Sequence, residues 1–457
     1  MTAFISRSLV DGAFPLITQR ERAKSWDFTE RPYYDLTPPS EILEADGVYE
    51  AIPAPVEPIE SDAKPLVAVI GVGYVGEHLV NEFSKHFDVL GYDVSEARKK
   101  LLESHFAGNA RVRITTAAKD ISSATHFLIS VPTLLLPDKT IDSSYLRSAV
   151  AAVGLHARRG ATVVIESSVA VGMTRELLGP LAKERGFFAG MSPERVDPGR
   201  VDPPAHAIPK VISGLEDVVP GSVSAIYSLY SEAFDTVVQV SRPEVAEMMK
   251  LYENCQRMVC IAYANEMADA CLSHNIDPYE VCRAASSKPF GYMPFTPSLG
   301  VGGHCIPVNP YYLLSNSQFP LLEAASEKMR TRPAAIAQRA VDSLCGSGPL
   351  EGPRPRVLVV GIGFKRGQSH LANSPGLELA KSLVLTEKVD VTWADPLVAQ
   401  AAVPQITRLD DACDWTVESL EHNFDLIIVA FRQDGLDFSV LDRLKDVRVQ
   451  MWCPPQA

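Results

Sequence analysis

The sequence predicts an α/β chain made of two Rossmann-like, doubly wound units joined by a long central helix. Three observations carry that reading. An apolar strand, Leu66–Ile70, runs straight into the glycine turn Gly71-Val-Gly73-Tyr74-Val75-Gly76; a second, Arg356–Val360, runs into Gly361-Ile-Gly363; and residues 244–274 contain neither Gly nor Pro. At 1.5 Å per residue, a helix over 241–274 is about 50 Å long, enough to bridge domains or join subunits.

Length and composition bound the alternatives. A chain of 457 residues exceeds what one core organises and suggests about three domains. Hydrophobic residues at 46% and charged residues at 22% are those of a soluble globular protein. The net charge of -13 argues against nucleic acid and anionic membrane as partners, so an anionic substrate needs a local basic pocket. No apolar run approaches the roughly 18 residues of a membrane span, and the N-terminus lacks a signal-peptide layout. Eight cysteines without CxxC spacing fit a reducing, cytoplasmic home, with neither a disulfide framework nor a metal site expected.

Taken in order, residues 1–63 read as an extension. Between Pro32 and Ala63 lie six prolines and eight carboxylates with no Lys or Arg, the composition of a disordered or surface-draped segment. Residues 64–240 read as the first dinucleotide-binding unit. Its glycines permit a tight turn, close approach of a pyrophosphate and close helix packing, and the helix N-terminus supplies positive potential. The next strand, Val89–Tyr92, ends in Asp93, 17 residues past Gly76, where a carboxylate accepts both ribose hydroxyls and repels a 2′-phosphate. NAD is therefore expected over NADP.

Strands at Phe127–Val131 and Thr162–Ile165 lead into Pro132-Thr133 and Glu166-Ser-Ser168. In an open parallel sheet such strand ends face the ligand crevice, so Thr133 is expected to line it, while Ser168 reads better as a helix cap. Glu194, in Ser192-Pro-Glu194, taken alone is a surface acid. Ser241-Arg-Pro-Glu244 has the spacing of a capping box and opens the long helix. On it Glu247, Lys250, Asn254 and Arg257 share one face, by itself an ordinary wet face. Residues 241–345 read as a central helical unit that also dimerises, and 346–457 as the second nucleotide-type unit. There Lys365 stands where a third glycine would sit, as a phosphate-binding lysine would.

One stretch carries chemistry of its own. In Gly300-Val-Gly302-Gly303-His-Cys305-Ile-Pro-Val-Asn309-Pro310, the cysteine follows two residues without side chains and precedes a proline-stiffened run, which leaves its sulfur open. A thiolate adds readily to an aldehyde, and the thiohemiacetal can lose hydride to give a thioester. A tight turn around an inert core cysteine is the other reading of the same residues.

Six motifs together, Gly71–Gly76, Val131-Pro-Thr133, Ser192-Pro-Glu194, Lys250-x-x-x-Asn254, Gly302-Gly-His-Cys305 and Gly363-Phe364-Lys365, resemble the UDP-glucose/GDP-mannose dehydrogenase family from about Leu66 onward. The resemblance implies an NAD-dependent oxidation of a sugar C6 hydroxymethyl to a carboxylate in two hydride transfers. Gly-Gly-His-Cys-Ile-Pro-Val looks most like the branch acting on UDP-N-acetylhexosamines. It implies Cys305 as nucleophile, Lys250 and Asn254 on the hemiacetal oxygen, and Glu194 and Thr133 for protons and water. It also implies that Gly71, Gly73, Tyr74, Val75, Gly76, Asp93 and Thr133 meet NAD. Glu194, Lys250, Asn254, Gly302, Gly303, Phe364 and Lys365 would meet the UDP-sugar, and a homodimer or larger homo-oligomer is implied. Three positions depart from the family pattern. Asn309 stands where the family has Asp, Ala372 where it usually has Arg, and Met451–Pro455 where an Asp-x-Arg run is common. A member that binds nucleotides but turns over slowly, in a binding or regulatory role, is the alternative these departures raise.

Overall fold

The computed structural model describes Ile59 and residues 64–455 apart from Pro137, Pro198 and 347–351. The acidic extension, Ile59 excepted, lies outside the described residues. Ten strands belong to the first part of the chain: β1 (Leu66–Ile70), β2 (Asp88–Tyr92), β3 (Val112–Thr115), β4 (His126–Ile129), β5 (Leu134–Leu135), β6 (Ile141–Asp142), β7 (Thr162–Ile165), β8 (Phe188–Met191), β9 (Lys210–Gly214) and β10 (Val237–Gln239). Eight of them form one sheet in the order β10-β9-β8-β7-β4-β1-β2-β3, and β5 and β6 make a small hairpin. From β3 to β8 the sheet is parallel, and β9 joins antiparallel to β8. Because helices cover both faces, the strands are apolar without alternation; β7 is Thr-Val-Val-Ile and buried throughout.

The helices of this unit are α1 (Tyr74–Phe83), α2 (Glu96–His105), α3 (Ser144–His156), α4 (Met173–Arg185) and α5 (Ser222–Ala233). The chain then enters α6 (Pro243–Leu272), 30 residues and about 45 Å long, followed by α7 (Pro278–Ser286), α8 (Asn309–Leu314) and α9 (Pro320–Cys345). The second sheet is formed by β11 (Arg356–Val360), β12 (Asp390–Ala394), β13 (Thr407–Arg408), β14 (Leu426–Val429) and β15 (Arg448–Met451), with helices α10 (Pro375–Leu385) and α11 (Val417–Asn423). Its order, β13-β12-β11-β14-β15, reverses direction beside β11 as the first sheet does beside β1, the doubly wound pattern the glycine turns predict. Helix α9 packs on α6 and on α10, so the central helices tie the two sheets together.

The capping box expected at Ser241 does not form. The helix starts one residue later, with Arg242 as N-cap making no side-chain bond, and Glu244 accepts instead from Arg175 Nε at 2.6 Å. Ser168 caps no helix either; Gly172 occupies the N-cap of α4, and the Ser168 carbonyl accepts from the Thr133 hydroxyl at 3.1 Å.

The two glycine turns are built alike, with one difference the spacing conceals. A Cβ on Gly76 would lie 2.1 Å from the Gly71 carbonyl oxygen, and one on Gly376 would lie 2.1 Å from the Gly361 carbonyl oxygen. The third glycine of the second turn is therefore Gly376, at the start of α10, and Lys365 belongs to a loop inserted before it. That tight approach of helix to turn tolerates no side chain. Gly376→Ala is expected to destabilise the protein by about 1 to 3 kcal/mol, the usual cost of overpacking, read as a lower urea midpoint. Gly73→Ala, whose methyl would meet nothing within 4 Å, should leave the midpoint in place. Equal midpoints for Gly376→Ala and wild type would refute the assignment of the third glycine.

Candidate active site

The site begins on α6. Glu247 accepts from the backbone N–H groups of Gly172 at 2.6 Å and Thr174 at 2.8 Å, so its carboxylate caps α4 from the side and fixes α6 against the first unit. One turn further along the same face lies Lys250, and one turn beyond it Asn254; all three are buried, so this is a covered face and not a wet one. Among the described residues no side chain hydrogen-bonds the Lys250 ammonium. Burial pushes its pKa down, and Cys305 and Glu194, both within charge range, pull it part of the way back.

Cys305 arrives from the opposite direction on the glycine loop. Gly303 has a φ of 93° and donates its N–H to the Ala372 carbonyl at 2.9 Å, while Asn373 Nδ2 donates to the Gly303 carbonyl at 2.9 Å. A Cβ on Gly303 would stand 3.1 Å from the Phe364 ring, and one on Gly302 would stand 2.9 Å from Pro375. Two glycines here let the loop inserted before α10 lie directly on the cysteine segment. Ala372 thus contributes its carbonyl to this contact.

Cys305 is exposed. Its own carbonyl accepts from the N–H of Asn309 at 2.8 Å and of Val308 at 3.2 Å, which starts α8. The Asn309 side chain turns inward, where its Oδ1 accepts from Asn254 Nδ2, and Asn254 Oδ1 accepts from Arg257 Nη2. An amide chain therefore links the residue that opens α8 to the helix carrying Lys250. Tyr312, one turn after Asn309, is buried with its hydroxyl facing Thr133 and Cys305 but outside hydrogen-bond geometry.

Behind Glu194 lies a cluster that its loop position does not suggest. Glu194 Oε1 accepts from the N–H groups of Arg195 and Val196, at 2.6 and 2.9 Å, and its Oε2 accepts from Lys210 Nζ at 2.6 Å. Lys210, on β9, also donates to Glu166 Oε2 at 2.7 Å, and Glu166 Oε1 accepts from the Tyr230 hydroxyl. Burial drives the carboxyl of Glu194 up, but Lys210 and the two backbone donors more than offset that and hold it at about 2. Glu166 is also raised by burial, which Lys210 only partly counters and Glu194 reinforces, and it stands at about 7. Burial works to discharge Lys210; the two carboxylates outweigh it, and its pKa is raised. Arg195 reaches across to Glu253 of α6 at 2.5 Å, which pins this loop beside Lys250.

The first glycine turn is open where a diphosphate would sit. Gly71 has a φ of 82°, and space above Gly73 is free to 4 Å. Gly73 is the N-cap of α1 without a side-chain bond of its own. Asp93 accepts from Val72 N–H and from Ser95 N–H, each at 3.0 Å, which fixes its carboxylate beside the turn. Val75 packs into the core of this unit, leaving its backbone for the turn. Tyr74 reaches the backbone at Gly199 and lies within charge range of Asp197, Glu194 and Cys305; burial leads in pushing its hydroxyl up to about 12.

Residues 65–233 match the family model described as "UDP-glucose/GDP-mannose dehydrogenase family, NAD binding domain", and residues 244–328 match the central domain of the same family. UDP-N-acetyl-D-glucosamine 6-dehydrogenase of Salmonella typhi is 32% identical over 361 residues, 72% of this chain and 82% of that protein. The chain belongs to the UDP-glucose/GDP-mannose dehydrogenase family. It is thus a member of a family of NAD-dependent oxidoreductases acting on UDP-sugars. UDP-N-acetyl-D-mannosamine dehydrogenase of Pyrococcus horikoshii is 28% identical over 78% of this chain and 89% of its own length. A solved UDP-D-ManNAc dehydrogenase from Pyrococcus horikoshii superposes with a TM-score of 0.72 at 26% identity, covering 85% of this chain and 99% of that one.

Within this family member the second glycine turn is filled by the protein itself. Asp395, at the position corresponding to Asp93, accepts from the N–H groups of Ile362 and Gly363 at 3.0 Å each, and Gln433 Nε2 donates to both of its oxygens. Lys365 projects from the inserted loop toward the first unit, where its Nζ meets Asp197 Oδ1 at 2.8 Å, while Phe364 lies against Gly302 and Gly303. The structure brings Cys305, Lys250, Asn254, Asn309, Glu194, Thr133, Tyr74, Gly302, Gly303 and Phe364 into one neighbourhood. It engages Lys365 with the carboxylate of Asp197. Sequence reasoning missed Lys210, Tyr312, Asp197 and Asn373. For Lys210 there was a signal, a lone cation heading an apolar strand; the others carry none at the level of spacing.

Proposed function

We propose that this protein oxidises the C6 hydroxymethyl of a UDP-N-acetylhexosamine to the uronic acid, in two hydride transfers through a covalent adduct on Cys305. The observation that carries the reading is an exposed thiol facing a buried ammonium that has no hydrogen-bond partner among the described residues, beside an open dinucleotide turn. A buried cation of this kind is stabilised by an oxyanion forming against it, and that stabilisation is greatest where water is excluded. Lys250 is accordingly assigned to the alkoxide and hemiacetal oxygen, with Asn254 as a second donor oriented by Asn309 and Arg257. Cys305 attacks the aldehyde, the thiohemiacetal yields a thioester, and water releases the acid. Glu194 and Thr133 are assigned to the protons of the hydroxyl and the water.

The residues of the first turn fit NAD: Gly71, Gly73 and Gly76 with the start of α1 would hold the diphosphate, and Asp93 the ribose. When bound, NAD accepts one hydride at each oxidation step. The UDP-sugar is assigned to the face of Gly302, Gly303, Phe364 and the inserted loop, with Lys365 exchanging Asp197 for the substrate diphosphate. The N-acetylhexosamine is favoured by relatives named for UDP-N-acetyl-D-glucosamine and UDP-N-acetyl-D-mannosamine. Incubating the protein with NAD and a panel of UDP-sugars should form NADH with an N-acetylhexosamine at a rate well above UDP-glucose. Cys305→Ser should abolish acid formation, because a serine adduct gives no thioester. Full turnover by that variant, or preference for UDP-glucose, would overturn the assignment.

Asn309 marks where the chain departs from the pattern it resembles. An amide takes no proton, so hydrolysis of the thioester is expected to be slower than the first hydride transfer. Rapid mixing should give a burst of up to about two NADH per site, followed by a slow steady state, and intact mass measurement should find the sugar acyl group on Cys305. Asn309→Asp is expected to raise the steady-state rate by about 10- to 1000-fold. A brisk wild-type rate without a burst, unchanged by Asp, would make Glu194 with Thr133 sufficient; no turnover in either form would favour a nucleotide-binding role.

A dimer through α6 belongs to the same proposal. Met248, Tyr252, Tyr263 and Met267 form an exposed apolar stripe along its outer face, at the spacing of one side of a helix. Two such stripes would bury each other in a two-fold arrangement. Sedimentation should give a two-chain species, and Tyr252→Asp with Tyr263→Asp should reduce it to one chain; a wild-type monomer would refute the assignment.

A further inference from the structure

Two carboxylates share one buried ammonium beneath the proposed site, and this stoichiometry has a chemical consequence. The side chain of Glu166 is 0% exposed, that of Lys210 2% and that of Glu194 10%. Three buried groups carrying one positive and two negative charges leave one negative charge unmatched. Low-dielectric surroundings disfavour it, so the cluster has a built-in place for a proton. We propose that Glu166 is the proton acceptor behind the active site, reached from Glu194 through the ammonium of Lys210. It rests on the reading of Glu194 as the group that meets the substrate's protons.

The path is continuous. Glu194 Oε2 lies 2.6 Å from Lys210 Nζ, Lys210 Nζ lies 2.7 Å from Glu166 Oε2, and the Tyr230 hydroxyl closes the far side of Glu166. The proton leaving the sugar hydroxyl joins a Glu194 oxygen. Lys210 gives one of its protons to Glu166 as it takes that one from Glu194, so both keep their charges and Glu166 becomes neutral. The electron pair of the C–H bond leaves as hydride to NAD, and atoms and charge balance. Direction is set by environment: backbone donors and Lys210 hold Glu194 at about 2, whereas burial holds Glu166 at about 7, so the proton comes to rest on Glu166.

The groups facing Glu166 are Lys210 from β9, Tyr230 from α5 and Glu194 from the loop after β8. The rings of Tyr230 and Phe234 lie over Lys210 at 5.9 and 5.3 Å, which keeps the ammonium charged without offering another proton acceptor. Lys250 faces Glu194 from α6. Glu166 itself touches no substrate; it acts only through the other two side chains.

The test compares kcat and KM as functions of pH for wild type, Glu166→Gln and Glu194→Gln with the preferred UDP-sugar. In wild type log kcat should fall below about pH 7, where Glu166 is already protonated. Glu166→Gln should lose that step, keep its KM, and turn over about 10- to 100-fold more slowly above it. A variant that keeps the step, with kcat either unchanged or lowered equally at every pH, overturns the proposal. So does loss of activity in Glu194→Gln with none in Glu166→Gln, a result that leaves the reading of Glu194 standing. No turnover by wild type on any UDP-sugar overturns that reading and this one with it. Infrared titration of the wild-type protein gives a measurement independent of the variants' folding. A buried carboxyl should take up a proton near pH 7, and its absence would also overturn the proposal.

Discussion

Two buried lysines, treated in opposite ways, organise the part of the molecule where chemistry is expected. Lys210 is held by two carboxylates at 2.6 and 2.7 Å, which compensates its desolvation. Among the described residues Lys250 has no comparable partner; burial lowers its pKa, and Cys305 and Glu194 counter part of that at a distance. Burial disfavours an ammonium left so, and the fold must hold the side chain there. Glu247 does so by capping α4 from one turn earlier on the same helix, and Arg195 does so by bridging to Glu253. On the proposed reading, the group that completes Lys250 is one that brings negative charge with it.

The same device appears twice in the chain with different results. In both turns the first glycine takes a positive φ, and in both the third lies against the carbonyl of the first. The acid after the second strand is placed alike too. Asp93 accepts from two backbone donors and stays at the edge of an open turn, whereas Asp395 is fully buried, with Gln433 donating to both of its oxygens. The second turn gains instead a loop, residues 364–373, inserted between its second and third glycines. That loop lies on Gly302 and Gly303 and carries Lys365 across to Asp197. One nucleotide turn has thus become a support for the cysteine segment.

Strands and long helices were legible in the sequence because their signals are local. Leu66–Ile70, Thr162–Ile165 and Arg356–Val360 occupy the residues their apolar runs indicate, since a strand buried on both faces needs an unbroken apolar run. The α6 face carrying Glu247, Lys250, Asn254 and Arg257 was legible as a face but not as a buried one, because burial depends on α4 and α8 arriving from elsewhere. The glycine- and proline-flanked stretch singled out Cys305 by itself, while Lys250, Asn254 and Glu194 came into view as site residues only through the family resemblance. Motif spacing could not reveal that Lys210 sits under Glu194, which takes pairing of β8 with β9 in antiparallel register. It misplaced the third glycine of the second turn, since an insertion breaks the spacing while leaving the close contact intact. The capping box failed for a related reason: Glu244 found a partner in Arg175, on a helix 69 residues away in sequence.

The amide at 309 fits this balance of charges. Asn254 donates to Asn309 and accepts from Arg257, so the pair of amides passes no net charge between the start of α8 and the helix that carries Lys250. A carboxylate in the same place would still accept from Asn254, and it would add a negative charge to a region where Glu194 and Glu253 already face Lys250. With the amide, Lys250 keeps a larger share of its uncompensated charge for an incoming oxyanion. The consequence for a reaction with separate hydride and hydrolysis stages is a division of labour. Stabilising the oxyanion gains from the missing charge, while the step that needs a base must draw on Glu194 and the cluster behind it. The neutral side chain at 309 and the surplus carboxylate at 166 are, in that sense, two halves of one electrostatic arrangement.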